Sequence, residues 1–292
     1  MKRKLITMLA FVALCGGCRF RDKEGGGEHK ERIVCIAKQY TEIIFALGAQ
    51  QDIVAVDVSS TYPAEAKKLT TVGYHRALSA EGILAAKPTM ILHDNNIGPE
   101  HVVQQLTSLK IPMKVFGAHN GDIAGTDSLI REMGQYFHTE KQADSLCGVL
   151  DADMKTAQEQ GKQYKDSVKV LVIHYGQAMN VYLVMTRKST AAKMIAWAGG
   201  KMATDGEKGM TQLSAEVIAA SDPDVILLTD FGYDKLGTNE KIKELPGIAG
   251  TKAAKANRIY RVEEHDMVYL GPRTGKNVLE LQKLIHKDAA TK

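Results

Sequence analysis

Cysteine is scarce in this 292-residue chain: of four in all, Cys15 and Cys18 fall near the N-terminus, which leaves Cys35 and Cys147 for the body. The body therefore has no CxxC pair and no thiolate cluster, which excludes a disulfide scaffold and a zinc site built on cysteine. Cys35 sits in an apolar strand pattern and Cys147 in a helical one, which suits two buried free thiols as well as one disulfide. Catalytic signatures are also missing. There is no Gly-x-Ser-x-Gly, no His-Glu-x-x-His and no dinucleotide fingerprint, so the expectation is that the protein is not an enzyme. Gly271-Pro272-Arg273-Thr274-Gly275-Lys276-Asn277 looks superficially like a phosphate loop. It fails as one, because its glycines are too close and Asn277 stands where Ser or Thr would hold magnesium. The net charge of +4 includes Lys2, Arg3 and Lys4, so the remainder is close to neutral. No basic run is interleaved with aromatics, and nucleic acid is not an expected partner.

Long apolar runs are lacking as well. The longest candidate, Leu5 to Leu14, follows a basic start and is about ten residues, too short for a bilayer, which needs about twenty. It reads as an export signal over residues 1–17. Leu14-Cys15-Gly16-Gly17-Cys18 resembles the lipobox of bacterial lipoproteins, which would make Cys18 the lipidated N-terminal residue. Residues 18–31 are charged, with Gly25-Gly26-Gly27 among them, and suit a flexible tether.

What is present is an alternation of strand and helix patterns. Arg32–Ala37, Asp52–Val58, Met90–Leu92 and Met113–Phe116 read as strands. Helices are expected at Thr41–Gly48, Pro99–Leu109 and Asp127–Phe137, and alternation of this kind predicts a parallel, doubly wound α/β sheet. Leu78-Ser79-Ala80-Glu81 and the strand after it recur as Leu213-Ser214-Ala215-Glu216 and Val225–Leu228, which argues for two similar lobes. Between them, residues 138–166 lack proline and place Ala143, Leu146, Leu150 and Met154 at helical spacing. Roughly 24 helical residues there would make a rod of about 36 Å. The expected organisation is an N-terminal α/β lobe over 32–137, a connecting helix over 138–166 and a C-terminal α/β lobe over 167–292. The second lobe opens on the strand Val168–His174, and His174 at its carboxyl end is placed for a cleft site. Phe231-Gly232-Tyr233 reads as a loop, and Arg258–Val262 as the last strand before a C-terminal helix.

The chemistry concentrates in Val72-Gly73-Tyr74-His75-Arg76-Ala77-Leu78-Ser79-Ala80-Glu81-Gly82. Ser79 caps a helix with Glu81 in its first turn, so Tyr74, His75 and Arg76 fall on the loop before it. A phenolate is a hard anionic donor suited to ferric iron, and tyrosine is a known axial ligand of haem. Its free pKa of about 10 means that ligation at neutral pH needs the metal and a nearby cation such as Arg76. On chemistry alone, the commoner state of such a tyrosine is a half-buried aromatic with a wet hydroxyl.

This block resembles the Gly-Tyr-x-Arg-x-Leu-Ser-Ala-Glu-Gly signature of haem-binding proteins of bacterial haem ABC transporters, in cluster A, or class III, of the periplasmic binding proteins. The likeness extends through Thr41-Glu42-Ile43, Thr190-Ala191-Ala192, Ala198-Gly199-Gly200, Leu245-Pro246-Gly247 and Leu270-Gly271-Pro272-Arg273-Thr274. It implies two Rossmann-like lobes joined by one long helix, with haem as the transported ligand in the cleft. Tyr74 would be the axial iron ligand, and Arg76 would stabilise the phenolate or a propionate. His174 would be a second iron ligand, with Tyr175 beside it, and His75 a solvated side chain or a distal hydrogen-bond donor. Two departures fall at the cleft. Tyr175-Gly176-Gln177 and Ala37-Lys38-Gln39-Tyr40 stand where the family often has small glycines. The implied partners are an ABC permease with its ATPase, met through Glu100 and Glu240 on the lobe tips, and an outer-membrane haem receptor. The implied location is the periplasm. Rival cargoes are cobalamin, a ferric siderophore, or a bare metal held by a set such as His75, His93, His174 and His265. A chelatase-like enzyme acting on a tetrapyrrole is the more distant alternative.

Overall fold

The computed structural model describes residues 31–117, 121–164, 167–177 and 179–287. The expected signal peptide, Cys18 and the tether through Lys30 lie outside the described residues. Five strands build the first sheet: β1 (Ile33–Ile36), β2 (Ile53–Val56), β3 (Thr70–Thr71), β4 (Met90–His93) and β5 (Met113–Lys114). Their order is β3-β2-β1-β4-β5 and every pairing is parallel. β1 is central and buried on both faces, which is why Ile33-Val34-Cys35-Ile36 runs apolar without alternation.

The second sheet comprises β6 (Val168–Gly176), β7 (Val181–Met185), β8 (Gly200–Met202), β9 (Met210–Gln212), β10 (Val225–Thr229) and β11 (Ile259–Val262). Its order is β11-β10-β6-β7-β9, with β8 pairing the first residues of β6. Here the structure departs from an all-parallel expectation. β6 turns back on itself through a hairpin, so that β7 and β9 are antiparallel. β6 is also longer than expected, and His174 lies two residues inside its end. Phe231 and Tyr233 sit on a helix, Asp230–Leu236, where a loop was expected. The helix expected from Asp127 begins at Ile123, because Asp122 caps it by accepting from the Gly125 N–H at 2.8 Å.

The connecting segment forms a helix over Glu140–Gly161, 22 residues and about 33 Å long at 1.5 Å per residue. Its buried positions, Ala143, Cys147, Leu150, Met154 and Ala157, step by four and three residues and form one stripe. That stripe belongs to a core continuous from Ile33 and Leu92 in the first sheet to Val170 and Leu227 in the second. The rod is therefore packed into both lobes, and truncating Leu150 to alanine would cost about 2–5 kcal/mol. Helix Thr274–Ile285 approaches it closely at Gly275, where a Cβ would meet Asp153 Cβ at 2.5 Å. Cys35 and Cys147 are both free and buried, which settles the cysteine alternative in favour of two thiols.

Candidate functional site

In the first lobe the cleft residues follow the carboxyl ends of parallel strands, where an open α/β sheet exposes its ligand crevice. Lys38 comes after β1, Asp57 directly after β2, Tyr74 after β3 and Asn96 after β4. In the second lobe, Phe231 follows β10 and Glu264 follows β11, while His174, Tyr175 and Gly176 are the last residues of β6 itself. A cavity of about 450 Å³ is lined from both sides by these residues other than Asp57, together with His75, Arg76, Leu183, Met210 and Tyr269 among others; Asp57 lies behind His75.

Local structure explains the Tyr74 loop. Gly73 takes φ +100, in the left-handed region that L side chains rarely enter, and this bend turns the chain out of β3. A turn closes from the Ala77 N–H to the Tyr74 carbonyl at 2.7 Å. Ser79 then caps helix Ala80–Ala85, accepting from the Gly82 N–H at 3.0 Å. The loop is thus held at both ends, with Tyr74 and His75 ring centroids 4.3 Å apart and tilted by 54°.

The charges are paired in a definite way. Arg76 donates through Nε to Asn96 Oδ1 at 3.0 Å and through Nη2 to the same oxygen. Burial pushes the Tyr74 phenol above its usual pKa; Glu264 and Asp57 add to the rise and Arg76 opposes it. Asp57 is 1% exposed. Burial pushes its carboxyl up, but hydrogen bonds from His75, Ser59 and Ser60 outweigh that and hold it below the usual carboxylate range. Across the cleft, Lys38 Nζ meets Glu264 Oε2 at 3.0 Å, and both are buried or nearly so. Burial, helped by Lys38 and opposed by Glu264, lowers the His174 pKa and keeps its imidazole neutral at pH 7. Tyr175 bonds Asn180 and Lys235 through its hydroxyl, and the Lys235 ammonium lies 4.2 Å from its ring centroid.

Every cleft residue expected from the sequence is therefore at the cleft: Tyr74, His75, Arg76, His174 and Tyr175. His75 is not a solvated side chain, being 12% exposed and turned toward Asp57. The bare-metal set does not form. His93 accepts from the Asn95 N–H at 3.2 Å, His265 is bound to Glu42, and no group of three or more His, Cys, Asp or Glu among the described residues is arranged to hold a metal ion. Glu100 and Glu240 are exposed, each in the first turn of its helix. Sequence reasoning missed Lys38, Glu264 and Tyr269 as cleft residues, and Asp57 as the buried carboxylate behind His75. For Lys38, Asp57 and Glu264, a position just past a strand end was the available signal. Val58 and Met179, 49% and 64% exposed, give the cleft an apolar rim on both lobes, the kind of surface that marks a binding site.

A neutral imidazole from one lobe and a phenol from the other thus line one cleft, with a guanidinium on the phenol's own loop, and a cleft of this kind is a candidate small-molecule site. The architecture is that of a class III periplasmic binding protein. Residues 33–265 match the family model described as periplasmic binding protein, and the chain belongs to that family. Among solved structures it is similar to the periplasmic heme-binding protein RhuT from Roseiflexus sp. RS-1 in apo form. That match has a TM-score of 0.81 and 32% identity, covering 88% of this chain and 98% of that one. Among curated proteins it is 28% identical to the uncharacterized ABC transporter substrate-binding lipoprotein YvrC of Bacillus subtilis, over 88% of this chain and 81% of the relative. It is also 25% identical to the vitamin B12-binding protein of Pectobacterium atrosepticum, over 68% of this chain and 71% of the relative.

Proposed function

We propose that this protein captures haem in the interlobe cleft and delivers it to an ABC-transporter permease, binding without turnover. The observation that carries the proposal is the meeting of Tyr74 from the first lobe and His174 from the second on one cleft with Leu183, Met210, Phe231 and Val268 among its walls. The apolar walls suit the macrocycle, and the phenol suits ferric iron as an anionic donor. His174, neutral at physiological pH, suits the opposite axial position. Arg76, already forked onto Asn96, is the group for a propionate or for the phenolate charge. Similarity to RhuT supports the cargo, and similarity to a substrate-binding lipoprotein supports the transporter partner and a lipid anchor at Cys18. Glu100 and Glu240, exposed at helix starts on the two lobes, are proposed to meet cationic residues of the permease. The location proposed is the periplasmic face of the membrane, with the chain tethered by its N-terminus.

Cobalamin is the second reading, favoured by similarity to vitamin B12-binding proteins. One titration separates the two. Soluble protein beginning at residue 19 is titrated with hemin and with cobalamin, alongside Tyr74→Ala. The expected result is saturable hemin binding with a ferric-tyrosinate charge-transfer band that Tyr74→Ala abolishes. Saturable binding of cobalamin, with none of hemin, would refute the haem proposal. Hemin binding unchanged in Tyr74→Ala would move the iron to His174 or His75.

A further inference from the structure

Each lobe contributes one imidazole to the cleft, and each imidazole turns Nδ1 toward a held carboxylate. His75 Nδ1 lies 3.4 Å from Asp57 Oδ2 and 3.4 Å from Ser59 Oγ. His174 Nδ1 lies 3.9 Å from Glu264 Oε1, and it is buried with no hydrogen-bond partner. Neither carboxylate is free to swing away. Asp57 accepts from the Ser59 N–H at 3.1 Å, from Ser60 Oγ at 2.6 Å and from Ser59 Oγ. Glu264 is held by Lys38 through its other oxygen at 3.0 Å, and its own N–H donates to Asp230 Oδ1 at 3.0 Å.

A neutral imidazole carries one N–H, and the group facing each nitrogen decides which one bears it. A carboxylate opposite Nδ1 draws the proton there and leaves a lone pair on Nε2, the arrangement that orients histidines toward metals in many proteins. No partner for Nε2 of either ring is found among the described residues. The Nδ1 of His174 is buried, so the ring's 15% exposure belongs to its other atoms, in a residue that lines the cleft.

We propose that Asp57 and Glu264 are positioning residues that hold His75 and His174 as Nδ1–H tautomers, so that each lobe presents an unprotonated Nε2 to the cargo. Lys38 completes the device in the second lobe by fixing Glu264 across the cleft. The part played toward cargo rests on the haem reading above; the tautomers are a property of the cargo-free protein and are tested without it.

Long-range proton–nitrogen correlation spectra of the cargo-free protein at pH 8 read the tautomers directly, with His75→Gln and His174→Gln assigning the ring signals. Both rings are expected as Nδ1–H. Asp57→Asn and Glu264→Gln are expected to raise the Nε2–H fraction of their own imidazole several-fold and leave the other unchanged. A majority Nε2–H form of either ring in the wild type overturns the proposal, and that measurement needs no carboxylate variant to fold. Unchanged tautomers in both variants, at wild-type melting temperature, overturn it as well. The same proteins are then titrated with hemin. Glu264→Gln is expected to weaken binding about tenfold while keeping the Tyr74 charge-transfer band. Nδ1–H tautomers with no hemin binding in the wild type would leave the device in place and remove its cargo role together with the haem reading. Hemin binding with reversed tautomers would remove the positioning role alone.

Discussion

Glu42 joins the two lobes through His265 and Arg273, and its removal is expected to have a large, measurable cost. The carboxylate sits on helix Lys38–Ala46 of the first lobe and is 4% exposed. It accepts from His265 Nε2 and, at 2.8 Å, from Arg273 Nε, both in the second lobe. Arg273 holds Asp266 Oδ1 at 2.6 Å with its other arm, and its guanidinium lies 3.5 Å from the Tyr62 ring centroid. Burial pushes the Glu42 carboxyl up, but the hydrogen bond and charge of His265, with those of Arg273, outweigh it and hold it below the usual carboxylate range. Glu42→Ala leaves a guanidinium and an imidazole facing a hole. Breaking a buried pair in this way costs about 3–5 kcal/mol. At about 2 °C per kcal/mol for a chain of this size, the melting temperature should fall by about 6–10 °C. Thermal and urea unfolding of the cargo-free protein at pH 7 measure it, and a loss below about 1 kcal/mol refutes the reasoning, because water would then already be solvating the pair. The pH dependence is fixed in sign. The folded carboxyl titrates below its unfolded value of about 4.3, so its contribution is complete above that pH and is lost as pH falls through the folded value. The gap between wild type and Glu42→Ala should narrow below about pH 4. Glu42→Leu combined with Arg273→Met should recover part of the loss, since the pair then leaves no uncompensated charge of its own.

Gly275→Ala places a Cβ 2.5 Å from Asp153 Cβ and 2.9 Å from the Met154 nitrogen. Backbone must shift to accept it, at about 1–3 kcal/mol, and an unchanged urea midpoint would mean the two helices are not so close. Burial pushes the Cys35 and Cys147 thiols each up to about 12, so native protein beginning at residue 19 should consume no Ellman reagent over minutes and react at both sites once unfolded. Rapid native labelling would contradict that burial. Glu100→Lys with Glu240→Lys should leave hemin titrations unchanged and abolish uptake in vesicles carrying the cognate permease; uptake at the wild-type rate would place docking elsewhere.

Much of the first lobe was legible because its signals are local. Strand and helix alternation and the Ser79 cap each act within a few residues, and the structure shows both. The second sheet was harder for a physical reason. The run Val170–Ile173 is buried on both faces, as any central strand would be, so its apolar pattern says nothing about whether the neighbour is parallel. The hairpin turn lacks a glycine pair and relies on Asn180 at φ 53, a weaker sign. Phe231-Gly232-Tyr233 read as a loop, yet Gly232 lets a helix pack closely there, since a Cβ at that position would lie 3.1 Å from Tyr175 Cβ. Lys38 and Glu264 were illegible as partners because 226 residues separate them. A charge beside an apolar strand end looks like solvated surface until the other lobe is in place.

The electrostatics of the cleft lead to a test of cargo selectivity. Phenolate formation at pH 7 costs about 4 kcal/mol from the reference pKa of about 10 alone, and burial with Glu264 and Asp57 raises the Tyr74 pKa further against Arg76. The cargo-free protein therefore holds a phenol. An anion at this position becomes favourable when a cation arrives with the cargo, which a ferric macrocycle supplies and a metal-free one does not. Hemin binding through Tyr74 should release one proton, so its association constant should rise about tenfold per pH unit between about 6 and 8. Protoporphyrin IX, which offers no Lewis acid, should bind with no such slope, and Tyr74→Phe should flatten the hemin slope without altering the porphyrin. Affinity measured across that range, with calorimetry in two buffers of different ionisation enthalpy to count the proton, decides the matter. Parallel slopes for the two ligands would mean that the phenol keeps its proton in the complex and that selectivity for iron arises elsewhere in the cleft.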